Sequence, residues 1–108
     1  MTDNAVPIAC TLSAPDQVAR QRELQDELRP AIQEVVELAD GFALRFPAEP
    51  QWIARLAELI TFERACCPFL TLELAAEPRH GPLWLRLRGP GGTKAFLHST
   101  FALCGCRT

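Results

Sequence analysis

No stretch of this chain approaches the ~20 consecutive apolar residues that a helix needs to cross a bilayer, so no membrane span is expected. The opening residues, Met1 to Ile8, also lack the basic patch and following apolar stretch of a secretory signal. The expected compartment is the cytoplasm. Basic runs are missing as well. Residues 1–54 carry four Arg against nine acidic residues, and residues 55–108 carry seven Arg or Lys against four Glu, so the halves are −5 and +3 and sum to −2. A nucleic-acid binder concentrates its cations in a stripe to meet phosphates, and scattered cations make that reading poor, so no nucleic-acid partner is expected. Gly89-Pro90-Gly91-Gly92 lacks the Lys-Ser/Thr ending of a phosphate loop. No serine nucleophile elbow and no paired-histidine zinc motif occurs.

What is present fits one globular domain: 108 residues, of which 48% are apolar and 22% charged. The expected unit is residues 1–108, closing in a short cysteine-containing tail at 104–108. Ile8 to Leu12 is short and apolar enough for a strand. Ser13 and Asp16 have the spacing of a capping box, and Pro15 suits a first turn, so a helix is predicted from about Ala14 to Arg29. Its thin apolar stripe is Val18, Leu24 and Leu28, and Pro30 ends it.

Residues 31–47 read as a hairpin, with helix as the alternative. A three-residue turn at Ala39-Asp40-Gly41 sets Leu38 opposite Phe42 and Val36 opposite Leu44, with Gly41 in the left-handed conformation. From Gln51 to Cys66 the residues Trp52, Ile53, Leu56, Leu59 and Ile60 recur at helical steps, and Pro68 biases Cys67 out of the helix. A second hairpin follows, in which pairing Leu72 with Leu87 also pairs Glu73 with Arg86. Trp84 shares a sheet face with Arg86, Arg88 and Glu73. Coverage by the first helix is the simpler account of that tryptophan, and a second copy of the chain is the other. Thr93 opens a last helix to about Leu103. The order βαββαββα predicts an α+β sandwich, an antiparallel or mixed sheet with helices on one face.

Five cysteines carry the chemical information: Cys10, Cys66, Cys67, Cys104 and Cys106. An odd count without an export signal argues against a disulfide framework and favours metal ligands or redox thiols. Glu63 lies on the apolar stripe of the long helix, three residues before Cys66 and four before Cys67, spacings that meet on a helix surface. A carboxylate there is costly unless paired, hydrogen-bonded or bound to a metal. The plain alternative is a rim glutamate that reaches water or pairs with Arg64 or a neighbouring strand. Adjacent Cα atoms at 3.8 Å are too close for an easy disulfide between Cys66 and Cys67, whereas two thiolates suit a soft ion. Cys10, on the presumed first strand, is the candidate third thiolate. The Cys104-Gly105-Cys106 pair, with His98 upstream, is either a second thiol pair or a frayed tail, and His80 sits in a turn.

Ala-Cys-Thr-Leu near the start, Glu-x-x-Cys-Cys-Pro-Phe-Leu after the long helix and Leu-x-Leu-x-Gly-Pro after the last strand resemble a family of small uncharacterised bacterial proteins. The likeness spans most of residues 8–103 and rests on Glu63, Cys66, Cys67, Pro68 and Phe69, with Cys10 as the outlying member. It implies no established activity, although its motif invites a heavy-metal role. The leading expectation is a soft-metal-binding protein, acting as sensor, chaperone or sequestering agent. Its ligands are Cys10, Cys66, Cys67 and Glu63, and its ion is Zn(II), Cu(I) or Hg(II). The alternatives are a thiol enzyme with a helix-end cysteine nucleophile and Glu63 as base, and a non-catalytic module with buried cysteines. Homodimerisation is an open expectation.

Overall fold

The structure, a computed structural model, describes residues 13–101. Helix α1 (Pro15–Leu28) starts with proline in its first turn. Proline restricts the residue before it to extended backbone. Ala14, at ψ 124°, is therefore the boundary, and no side chain caps this end. The capping box expected from Ser13 does not form. At Pro30 the α-helix has already given way to a 3-10 turn, Arg29–Ala31. Leu24 and Leu28 are buried as predicted, while Val18 is half-buried and Gln21 takes the buried place on its stripe.

Strands β1 (Glu34–Leu38) and β2 (Gly41–Phe46) form the first hairpin, so residues 34–38 are strand rather than helix. Its register differs from expectation by one residue. Ala39 and Asp40 make the turn, Leu38 pairs with Gly41, Val36 with Ala43 and Glu37 with Phe42. The reason lies on the next strand. A Cβ at Gly41 would stand 1.8 Å from the carbonyl oxygen of Leu87. The glycine is thus needed inside the ladder, where another backbone passes close, and its φ is not in the left-handed region. With that slip Arg45 meets Glu34 at 3.3 Å, and Glu37 pairs instead with Lys94.

Helix α2 (Pro50–Cys66) matches the predicted span. Leu56 and Leu59 are buried on its inner stripe, whereas Ile53 is exposed. Strands β3 (Thr71–Ala76) and β4 (Leu83–Arg88) pair in the predicted register, Leu72 with Leu87 and Glu73 with Arg86. Arg79 and His80 turn the chain with φ of 61° and 58°, and His80 is exposed. Helix α3 (Thr93–Phe101) begins where the buried Thr93 hydroxyl donates to the Pro90 carbonyl at 2.6 Å.

The four strands form one antiparallel sheet in the order β1-β2-β4-β3. The fold is α+β. Phe42, Leu44 and Phe46 share one sheet face with Leu83, Leu85 and Leu87, by the period of two. Leu24 and Leu28 of α1, Leu56 and Leu59 of α2 and Leu97 of α3 join them in a single core. Trp84 points to the other face with Arg86 and Arg88 and is half-buried. The expected cover by the first helix is not found, because the apolar stripe of α1 belongs to the opposite face. The expected strand Ile8–Leu12 and the tail at 104–108 lie outside the described residues.

Candidate metal centre

The inner stripe of α2 continues past its leucines. Leu56, Leu59, Glu63 and Cys66 follow at steps of three, four and three, and all four are buried. Helical spacing alone therefore carries a carboxylate and a sulfur into the same covered strip. Pro68 then acts as predicted. It holds Cys67 off the helical region, at φ −124° and ψ 73°, and the helix stops at Cys66. The Cys67 N–H still donates to the Glu63 carbonyl at 2.6 Å, and the Cys67 carbonyl accepts from Leu70 N–H at 3.0 Å. The thiol consequently turns back along the helix end, and its Sγ donates to Oε1 of Glu63 at 3.6 Å.

Phe69 closes the cluster from outside. It packs with Cys66 and Cys67 and meets Phe96 of α3 edge-to-face, at a centroid separation of 5.2 Å. Both sulfur-bearing residues are sealed, Cys66 at 3% and Cys67 at 0% exposure. Glu63 is also at 0% and does not reach water or pair with Arg64, which is exposed. Its partners come from α1. Gln25 donates to Oε2 at 2.8 Å, and Gln21 donates to the same oxygen at 3.0 Å.

Sequence reasoning missed these two amides. A signal was available: Gln21 lies three residues before Leu24 and seven before Leu28, on the stripe that faces inward. A polar residue at such a position needs a buried partner. Gln25 follows one turn later on the same side.

Electrostatics at the centre follow from burial. Loss of water raises the Glu63 carboxyl above its ordinary range, and the hydrogen bonds from Gln25, Gln21 and Cys67 offset part of that rise. Burial also pushes the Cys67 thiol up to about 12, with the neighbouring Glu63 carboxylate adding to the effect. This is the opposite of an activated nucleophile, which needs an electropositive and accessible setting.

The ligand atoms of Glu63, Cys66 and Cys67 all lie within 4.8 Å of one another. A tetrahedral ion with metal–sulfur bonds near 2.3 Å sets its sulfurs roughly 3.8 Å apart, and a linear dithiolate with like bonds sets them roughly 4.6 Å apart. One ion is thus within reach of small side-chain movements. Cys66 is disulfide-bonded in this structure while Cys67 is a free thiol, so the two neighbours are not joined to each other. A dithiolate at this site belongs to the reduced protein. Among the described residues this is the one such group, and no histidine belongs to it. His98 instead sets its ring against Phe42. Cys10, Cys104 and Cys106 lie outside the described residues, as does any contribution of theirs to the centre. No helix among the described residues is long and apolar enough to cross a membrane. Comparison with protein families, curated proteins and solved structures finds no match for this chain.

Proposed function

We propose that the reduced protein binds a soft metal ion through Cys66, Cys67 and Glu63, with Cys10 as a third thiolate, and serves as a sensor, chaperone or sequestering agent. The observation that carries this reading is the convergence of a carboxylate oxygen and two sulfurs, from three buried residues at the end of α2, within 4.8 Å of one another. Thiolate donors select Zn(II), Cu(I) and Hg(II) over hard cations. A buried cation also supplies Glu63 with the countercharge that its two neutral amide partners do not.

A non-catalytic module is the second reading. It is favoured by the two amides that already satisfy Oε2 of Glu63 and by the complete burial of Cys67. Titration of the reduced chain with Zn(II), Cu(I) and Hg(II) separates the two. Metal binding gives thiolate-to-metal absorbance and a fixed stoichiometry, both lost in Cys66→Ser and Cys67→Ser. Cys10→Ser weakens binding if Cys10 is the third thiolate. A chain that takes up none of the three ions overturns the soft-metal reading.

A further inference from the structure

We propose that Gln21 and Gln25 are the positioning residues of the metal centre, holding Glu63 so that Oε1 alone is offered to the ion. This rests on the metal-binding reading above. Both amides address one oxygen, Oε2, at 3.0 and 2.8 Å, while the other, Oε1, faces the Cys67 sulfur at 3.6 Å. A carboxylate free to rotate must be ordered when the ion arrives. One already clamped at its far oxygen has lost that freedom on folding, and it presents a single defined donor atom.

The chemistry of the clamp matters as much as its geometry. An arginine or lysine would hold the carboxylate more strongly but would place a positive charge beside an incoming cation. Two neutral amides orient the ligand without that repulsion. Their four-residue spacing on α1 aims both at the same point, and Gln21 is buried, with its side-chain amide donated to Glu63.

The test uses the full chain, reduced, with whichever of Zn(II), Cu(I) and Hg(II) it binds, measured by competition against a chromophoric chelator. Methionine matches glutamine in length and removes the donor. Gln21→Met/Gln25→Met is expected to weaken the affinity about 10- to 100-fold. In a Glu63→Gln background, where a neutral amide NH2 replaces the anionic ligand oxygen, the same pair is expected to change the affinity no further. A purely structural role for the amides predicts an equal loss in both backgrounds. That result, or an unchanged affinity, overturns the inference while leaving the metal site standing. A wild-type chain that binds none of the ions removes the metal reading and this inference together. Gln25→Met alone, at the half-buried position, carries the same comparison if the double variant does not fold.

Discussion

Gln25 of α1 donates its side-chain amide to Oε2 of Glu63 on α2 at 2.8 Å, across 38 positions of the chain. With Gln21 at 3.0 Å, this bond ties the two helices through the group that also faces the thiols. The helices are further linked at their exposed edges by Arg20 to Glu58 at 2.8 Å and Arg55 to Glu27 at 2.6 Å. Such exposed pairs are worth at most about 1 kcal/mol each. Burial of Leu24 and Leu28 in the core shared with Leu56 and Leu59 therefore dominates the docking of α1.

Glu63→Gln is expected to fold and to lose metal affinity. Its carbonyl still accepts from Gln21 and Gln25, while the charged ligand is gone. The same variant has a signature in pH. Because burial raises the folded-state value of Glu63, the carboxyl's contribution to stability is fully present below its ordinary value of 4.5 and declines as pH rises through the folded value. Glu37 and Glu58 are shifted downward by Lys94 and Arg20, so they act in the opposite sense, but they are common to both proteins and cancel. Urea midpoints from pH 4 upward should thus show the variant gaining on the wild type as pH rises.

The Cys67 thiol is expected to alkylate slowly in the metal-free protein at neutral pH. With its value pushed up to about 12, the thiol stays protonated at pH 7, and burial blocks access as well. Iodoacetamide kinetics with peptide mapping check this. Raising pH from the ordinary thiol value of 9.0 to about 12 should also destabilise the fold, because the unfolded chain loses this proton first. Cys67→Ala should flatten that alkaline slope.

Metal binding must displace the Cys67 proton, so affinity should rise with pH and proton release should be measurable in weakly buffered solution. The bound ion should also protect the fold. At a free-ion concentration 100 times Kd, the expected stabilisation is about 2.7 kcal/mol. Chelator should reverse it, as read from the thermal midpoint.

Gly41→Ala is expected to destabilise the sheet by about 1–3 kcal/mol or more, since its methyl would overlap the Leu87 carbonyl at 1.8 Å. Leu56→Ala, at 0% exposure in the centre of the core, should cost about 2–5 kcal/mol. Arg20→Met should change stability by less than about 1 kcal/mol, because its ion pair with Glu58 is exposed. Denaturant unfolding of the three variants ranks them.

Local pattern alone was enough to read α2, the Leu72–Leu87 register and the inward placement of Glu63 beside Cys66 and Cys67, the second of them held off the helix by Pro68. Each depends on spacing along one element or across one short turn, and periodicity reports such spacing directly. The register of the first hairpin was beyond it, because the residue that decides it, Gly41, answers to Leu87 on a strand 46 positions away. The partners of Glu63 were beyond it for the same reason. Periodicity tells which face of α1 turns inward, but only the docking of α1 on α2 selects Gln21 and Gln25 as the donors that meet the carboxylate. Residue order determined that an acid and two sulfurs would be buried together at a helix end; tertiary packing decided what holds them there, since a buried polar group is satisfied by whichever element is pressed against it.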